Sequence, residues 1–257
     1  MTGLGVDIKH LKVYLFYGKK GACKSMYMAS LSERLFKSYV KQEKKYPDLK
    51  QRYLYSNMKF AKEFEIKHEK NLKYWTHPEQ LYSIRNADIL WDEIGKDLPA
   101  GSWINTPKEL RQVFSHLRKR GNRIFANTQV YEDVDIAVRR QTDHAYEIKK
   151  LFGSRDISAS LPPPNLIYGL AFLREFDPMQ IEYYRDPEDR EELVKSWFPI
   201  PLLITRRLVT VYDTTAELPP YQPDKLKEIR MVCREGENCM KKDKHGNPHT
   251  VVTHEPV

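Results

Sequence analysis

The sequence is poor in cysteine and has no long apolar run. Three cysteines, Cys23, Cys233 and Cys239, occur in 257 residues, too few for a fold held together by disulfides. No stretch approaches the roughly 18 to 20 uninterrupted apolar residues that cross a membrane. The best candidate, residues 198–211, contains two prolines and two arginines. The amino-terminal residues lack the small-residue cleavage pattern of a secretory signal. We therefore expect a cytoplasmic protein with reduced thiols and no membrane span.

Acidic residues are also in deficit, with 35 Asp and Glu against 43 Lys and Arg, which gives a formal net charge of +8. This excess favours an anionic partner, nucleic acid before lipid, although a charge total alone decides neither. With 40% apolar residues, a chain of this length can bury a sizeable core within one large domain.

No internal repeat is found, and short apolar runs alternate instead with segments of helical periodicity. Strands are predicted over residues 12–17, 52–60, 87–91, 123–128 and 145–151, and helices over 24–44, shortly after Pro78, 107–120 and 134–140. Thr106 is expected to cap the helix that Pro107 opens, and Gly121 to end it. This alternation is typical of an α/β fold, in which helices flank a mostly parallel sheet and ligands bind at the carboxyl ends of the strands.

A glycine-containing loop lies between the first predicted strand and the first long helix. It reads Gly18-Lys19-Lys20-Gly21-Ala22-Cys23-Lys24-Ser25 and nearly matches the phosphate-binding pattern G-x-x-x-x-G-K-[ST]. In such a loop, backbone N–H groups and the helix N-terminus bind phosphate, the lysine reaches the terminal phosphates and the hydroxyl ligates Mg²⁺. All eight residues are therefore candidate nucleotide-binding residues, with ATP and Mg²⁺ as cofactors. The alternative is a glycine-rich turn that leads into a basic helix.

Cys23 departs from this pattern, which has glycine at its position. A side chain there must adopt the backbone conformation that glycine normally supplies, at a cost on the order of 1 kcal/mol or more. We expect either weaker nucleotide binding or a rearranged loop.

Polar side chains follow two later strands. Asp92 and Glu93 come after the apolar run 87–91, and Gln129 follows Asn127 and Thr128 at the end of the run 123–128. In phosphoryl-transfer sites, the first acid helps to hold Mg²⁺, the second polarises the attacking water, and an amide contacts the γ-phosphate or its water. Singly, each could be a solvated residue at a strand end. Their order along the chain indicates a nucleotide site, with Asp92 and Ser25 as metal ligands.

The segments around these motifs resemble those of the zonula occludens toxin family, the filamentous-phage assembly ATPases. The resemblance covers roughly residues 12 to 150, and the residues that carry it are Leu117 to Gly121, Ile124 to Gln129, Asp135 to Arg140, and Asp143. A further Tyr212-Asp213-Thr214 element is similar to one near the end of the toxin-like proteins. The sequence is also similar to the packaging ATPases of membrane-containing viruses, and both groups belong to the FtsK/HerA branch of P-loop NTPases.

This resemblance implies a homo-oligomeric ring that hydrolyses ATP at subunit interfaces and moves DNA or virion and capsid components, in the host cytoplasm or associated with the virion. By position, Arg118 matches the basic residue that could serve as an arginine finger. The helix over 108–120 and the pair Arg139-Arg140 could contact DNA phosphates. The membrane-spanning helix of the assembly ATPases is not seen in the sequence, which favours packaging over extrusion.

The predicted domains are a P-loop NTPase domain over residues 1–218 and a polar tail over 219–257. Within the first, the nucleotide-binding core covers about 12–150 and appended strands cover 151–218. The tail carries Cys233, Cys239, His245 and His249, but their spacing is atypical of structural zinc sites and favours a flexible tail. A different class of function remains open, namely a basic nucleic-acid-binding or scaffold protein whose degenerate loop no longer hydrolyses ATP.

Overall fold

The computed structural model describes residues 11–47, 51–101, 106–153, 167–183, 199–212 and 218. These residues form one eight-stranded sheet in the order β3-β2-β4-β5-β1-β6-β7-β8. The strands are β1 (Val13–Tyr17), β2 (Tyr53–Ser56), β3 (Leu72–Tyr74), β4 (Ala87–Trp91), β5 (Arg123–Thr128), β6 (His144–Gly153), β7 (Ile167–Phe176) and β8 (Ile200–Thr205). Neighbouring strands from β3 to β6 are parallel, and β7 and β8 extend the sheet in antiparallel pairing. The fold is an α/β fold with a mostly parallel sheet, as the alternation of elements predicts.

Helices cover the sheet. They are α1 (Lys24–Lys45), α2 (Lys62–His68), α3 (Ile94–Asp97), α4 (Lys108–Ser115), α5 (Leu117–Arg120), α6 (Ile136–Arg139), α7 (Pro178–Tyr183) and α8 (Arg206–Val209), with single 3₁₀ turns at Pro78–Tyr82 and Tyr131–Asp133. Among the described residues, none of these helices has the length and apolar character needed to cross a membrane.

The hydrophobic core has one layer on each face of the sheet. Tyr14 and Phe16 of β1 pack into the layer beneath α1, whereas Val13 and Leu15 pack into the layer beneath α4 and α5. Every residue of β1, β4 and β5 is buried. Strands buried on both faces read as continuous apolar runs, which is why the sequence predicts these three within one residue.

Several predicted boundaries are wrong. The second strand is only Tyr53–Ser56, and the helix predicted over 107–120 is interrupted at His116, whose ψ of 22° leaves the helical range. Thr106 is not its cap: Pro107 holds that position, with no side-chain capping bond. The helix expected from residue 134 begins at Ile136, because the Asp135 side chain accepts the Ala137 N–H at 2.9 Å. Gly121 does end its helix, at φ 69°.

The amino edge of the sheet is held by a buried charge cluster around Asp88. Arg123 contacts both carboxylate oxygens at 2.5 Å, Arg52 reaches one at 2.8 and 3.0 Å, and the Tyr39 hydroxyl donates at 2.5 Å. Burial alone would raise the pKa of Asp88, but Arg123 and Arg52 outweigh it and hold the pKa below its usual value. This cluster joins α1, β4, β5 and the residue that precedes β2 at the edge opposite the phosphate loop.

The predicted division at residue 218 remains a prediction. The tail over 219–257, with its cysteines and histidines, lies outside the described residues, as do Asp213 and Thr214.

Candidate active site

The loop from Gly18 to Cys23 connects β1 to α1 at the carboxyl edge of the sheet. Its first residue lies against two neighbouring strands: the Gly18 N–H donates to the Gln129 carbonyl at 3.2 Å, and a Cβ on Gly18 would lie 2.4 Å from the Ile148 carbonyl oxygen. Only glycine permits this close approach. The sequence pattern therefore places its first glycine where the loop crosses β6.

Lys24 is the first residue of α1 and is buried, with 9% of its surface exposed. Its ammonium donates to the carbonyl of Gly18 at 2.7 Å and to that of Lys19 at 3.3 Å, so the side chain reaches back across the loop. Burial lowers the pKa of Lys24, and the nearby Asp92 and Glu93 carboxylates partly offset this effect. The cation is thus located inside the loop, where phosphate oxygens would bind.

Cys23 has the left-handed backbone conformation that the pattern assigns to glycine, with φ 71° and ψ 26°. The thiol is half-buried and lies 3.8 Å from the Gly21 carbonyl, and burial raises its pKa. The loop therefore keeps the glycine geometry with a side chain in place, at the conformational cost expected for an L-residue at positive φ.

Asp92 follows β4 and lies beside the loop. Its Oδ1 accepts the Ser25 hydroxyl at 3.3 Å and is also contacted by the side-chain amide of Asn127. Burial raises the pKa of Asp92, whereas the hydrogen bonds from Asn127 and Ser25 act in the opposite direction. Asp92 and Ser25, predicted from separate motifs, are thus in direct contact.

These two oxygen groups match the chemistry of Mg²⁺, a hard cation that takes few protein ligands together with substrate phosphates. Ser25 and Asp92 would hold the ion, as their sequence positions predict. When bound there, the ion would neutralise charge on the phosphate oxygens.

Asn57 is a site residue that the sequence analysis missed. It follows β2, which pairs with β4, and its side chain contacts the backbone of Asp92 twice: Nδ2 donates to the Asp92 carbonyl at 3.0 Å, and Oδ1 accepts the Asp92 N–H at 2.7 Å. The signal was present, because Asn57 has the same place after its strand that Gln129 has after β5. The predicted strand over 52–60 hid it.

Glu93 adopts a left-handed conformation at φ 55°, which turns the chain out of β4. Its N–H donates to Asn127 Oδ1 at 2.9 Å, and its Oε1 accepts Gln129 Nε2 at 3.4 Å. The carboxylate also pairs with Lys96, one turn along in α3, and this ion pair is the main reason that the pKa of Glu93 is lowered. The predicted base and the predicted amide therefore lie side by side.

Strand β5 explains why these groups meet. It lies between β1 and β4 in the sheet, so Asn127 and Gln129 emerge between the phosphate loop and the acid pair. Asn127 contacts both Asp92 and Glu93, and the Gln129 carbonyl holds Gly18. One strand end thus links the three motifs.

Arg118 does not join this group. It is exposed in α5, and Gly121 then leads into the amino end of β5. The phosphate loop follows the carboxyl end of β1, which is parallel to β5. Arg118 therefore lies at the opposite edge of the sheet from the loop of its own chain.

The other predicted DNA contacts have mixed surroundings. Lys119 and Arg140 are exposed. Arg120 donates to the Tyr82 carbonyl at 2.7 Å, and Arg139 pairs with Glu182 at 2.5 Å. The Arg120 and Arg139 side chains therefore already have partners within the fold.

Comparison with known proteins places the chain in a family. The model of the family described as Zonular occludens toxin (Zot) matches residues 12–156. No curated protein sequence matches the chain.

Solved structures that are similar to this chain include the following three. The N-terminal domain of zonular occludens toxin from Neisseria meningitidis has 18% identity and a TM-score of 0.47, covering 79% of this chain and 98% of its own. The genome packaging NTPase B204 from Sulfolobus turreted icosahedral virus 2, in complex with ATP-gammaS, has 13% identity and a TM-score of 0.39, covering 66% and 94%. The flagellar accessory protein FlaH from Methanocaldococcus jannaschii has 10% identity and a TM-score of 0.43, covering 68% and 81%.

The family match alone spans more than half of the 257 residues and includes the phosphate loop, the acid pair and Gln129. The chain belongs to the zonular occludens toxin family.

Proposed function

We propose that this protein is an ATP-dependent motor in which ATP hydrolysis drives DNA translocation, genome packaging or virion assembly. The observation that carries the proposal is the continuous hydrogen-bonded group at the carboxyl edge of the sheet. Ser25 contacts Asp92, Asn127 contacts Asp92 and Glu93, and Gln129 contacts Glu93.

Each group in this network has a role in phosphoryl transfer. The Lys24 cation and the N–H groups at the start of α1 bind phosphate oxygens, because both carry positive charge into the loop. Glu93 accepts the proton of the attacking water, because its carboxylate is unprotonated at neutral pH. Gln129, next to Glu93, orients that water.

Arg118 completes the site of a neighbouring subunit in this proposal. Its place at the edge opposite its own loop supports an action in trans across the interfaces of a homo-oligomeric ring. Mixing two inactive variants tests this. Lys24→Ala keeps Arg118, and Arg118→Ala keeps Lys24, so mixed rings should regain ATPase activity that neither variant has alone. An Arg118→Ala variant with full activity by itself would remove the residue from the site.

DNA is the proposed cargo. The net charge of +8 and the exposed Lys119 and Arg140 support contacts to DNA phosphates, which would weaken as salt rises.

The central experiment measures ATP turnover with and without DNA for the wild type, Lys24→Ala and Glu93→Gln. Lys24→Ala should lose ATP binding, and Glu93→Gln should bind ATP but turn it over orders of magnitude more slowly, because an amide accepts no proton. Lys41→Ala, an exposed lysine of the same helix, is the matched control and should behave as wild type.

The rival function is a scaffold or nucleic-acid-binding protein that no longer hydrolyses ATP. The observation that favours it is the replacement of the pattern's glycine by Cys23, which places a side chain at a strained positive φ. DNA binding without turnover in the wild type would support the rival. DNA-stimulated turnover that Lys24→Ala abolishes would support the motor.

A further inference from the structure

A cleft of about 470 Å³ opens beside the phosphate loop. Residues 18–22 of the loop form one wall, and residues 147–153 of β6 form the other. Its volume lies within the range of about 300 to 1,000 Å³ typical of small-molecule sites. The cleft shares the loop's residues but lies on the side away from Asp92 and Glu93, which do not line it.

The cleft exists because β6 is longer than β1. The last residue of β1, Tyr17, pairs with Glu147, whereas β6 continues to Gly153 with only β7 as its partner. The phosphate loop therefore runs past the unpaired edge of β6. The contact of Gly18 with Ile148, which leaves no room for a Cβ, brings the two walls together at the base.

Apolar side chains lie at the outer end of this wall. Leu151 is 66% exposed and Phe152 is 51% exposed, and the register with β7 shifts between Lys150 and Phe152. This irregularity changes the direction of the side chains just where β6 leaves the body of the sheet. An exposed aromatic ring beside a phosphate loop is suited to stack on a flat, apolar ligand face.

The surrounding charges suit an anionic ligand. Lys19 and Lys20 are exposed on the loop wall, and Lys149 and Lys150 lie on the strand wall, where Lys149 pairs with Glu147 at 3.2 Å. A nucleoside triphosphate combines both features, since its phosphates carry the negative charge and its base supplies the flat face.

We propose that this cleft binds the nucleobase of the triphosphate held by the loop, with the ring of Phe152 stacked on the base. The inference rests on the proposed function, because it assumes that the phosphates lie in the loop from Gly18 to Ser25. It adds Phe152 as the residue that distinguishes a nucleotide from a bare polyphosphate.

The test compares two ligands, ATP and inorganic triphosphate, which has no base. Binding of each is measured by calorimetric titration, with Mg²⁺ present, for wild type, Phe152→Ala and Phe152→Tyr. Leu203→Ala is the matched control: Leu203 is 50% exposed on β8, pairs with Leu170, the partner of Phe152, and does not line the cleft. Loss of one base–aromatic stack should weaken ATP binding by about tenfold.

The expected result is weaker ATP binding in Phe152→Ala with triphosphate binding unchanged, and wild-type ATP binding in Phe152→Tyr and Leu203→Ala. Equal loss of both ligands would overturn the inference, because Phe152 would then act on the loop rather than on the base. Unchanged ATP binding would also overturn it. If the wild type binds neither ligand, the proposed function itself fails, and this result differs from both of the others.

Discussion

The side chain of Asn57 holds the backbone of Asp92 from both directions, accepting its N–H at 2.7 Å and donating to its carbonyl at 3.0 Å. The contact joins the ends of β2 and β4 where the chain leaves the sheet and Glu93 turns to positive φ. Asn127 fixes the carboxylate of Asp92 from the other side. Two asparagines, one from each strand that flanks β4, thus orient the backbone and the side chain of Asp92.

Replacing Asn57 by alanine should therefore misplace Asp92. We expect the free energy of unfolding to fall by about 1 to 3 kcal/mol, because two half-buried backbone groups lose their partner. ATP turnover should fall by more than the decrease in the fraction of folded protein. The Mg²⁺ concentration that gives half-maximal turnover should rise. Denaturant unfolding and Mg²⁺ titrations of turnover measure the two effects.

Asn71→Ala is the control for this prediction. Asn71 also bonds a backbone carbonyl, that of Arg52, at 2.8 Å, but at the amino side of β3. It should lose stability and keep the Mg²⁺ dependence of the wild type. If Asn57→Ala keeps that dependence too, Asn57 has only a structural role.

Disrupting the Asp88 cluster should lower the stability of the fold and leave nucleotide binding unchanged. Asp88→Asn leaves the buried Arg123 guanidinium without its charge partner, and breaking a buried pair in this way typically costs about 3 to 5 kcal/mol. Denaturant unfolding measures the loss. The ATP affinity of the folded variant should equal that of wild type, because the cluster lies at the opposite edge of the sheet. A large change in affinity would show that the two edges are coupled.

The same variant should change the acid sensitivity of the fold. Because Arg123 and Arg52 hold the pKa of Asp88 below its unfolded value, the pair contributes stability that is fully present above the unfolded pKa of about 3.9. That stability is lost as pH falls from there through the lowered value in the fold. The wild type should therefore lose stability more steeply below about pH 4 than Asp88→Asn does. Urea unfolding at a series of acidic pH values compares the slopes.

The Glu93–Lys96 ion pair should set the acidic limit of ATP turnover. Lys96 favours the charged form of Glu93 and lowers its pKa, so Lys96→Met should raise that pKa. Since the base must be unprotonated, the acidic limb of the pH–rate profile should move to higher pH in the variant. The Lys96 side chain is 76% exposed, so salt should shrink the difference between the two profiles.

A salt titration controls for this electrostatic explanation, because the shift between the two pH–rate profiles should be largest at low salt. An acidic limb that stays in place in Lys96→Met at low salt would mean that Glu93 is not the group whose protonation limits turnover. Asp92, with its raised pKa, would then be the next candidate.

The sequence predicts well those features that depend only on local composition. Strand β4 and strand β5 match their predicted bounds because each is an apolar run buried on both faces. The meeting of Lys24, Asp92 and Gln129 follows from the rule that parallel strands present their carboxyl ends at one edge. Both the strand bounds and the meeting of these residues can be predicted without knowing any side-chain contact.

Much of the rest depends on which strands pair, and local sequence patterns do not give that pairing. The three residues of β3 and the seven of α2 are too short to give a clear period. Asn57 gains its role only because β2 pairs with β4, and Arg118 can be placed at the far edge only once α5 is known to precede β5 in a parallel sheet. The length of β6 beyond β1, which creates the cleft at Phe152, is likewise a property of strand pairing.

The last prediction concerns Cys23, whose φ of 71° is the glycine conformation with a side chain attached. Cys23→Gly should remove about 1 to 2 kcal/mol of left-handed strain, while the added freedom of glycine in the unfolded chain costs about 0.5 to 1 kcal/mol. The net expectation is a small gain in unfolding free energy and an ATP affinity that is equal or higher. Denaturant unfolding and ATP titration measure both.

Gly21→Ala in the same loop calibrates this expectation. Gly21 has φ 81°, and a Cβ there would meet nothing within 4 Å, so the variant measures the strain of a side chain at positive φ without any steric clash. Its net loss of stability should be about as large as the net gain in Cys23→Gly, because strain and unfolded-chain freedom both change in the opposite sense. A clear loss of ATP affinity in Cys23→Gly, with Gly21→Ala behaving as expected, would mean that the thiol itself contributes to binding. In that case Cys23 would be a functional replacement for glycine in this loop and not merely a tolerated one.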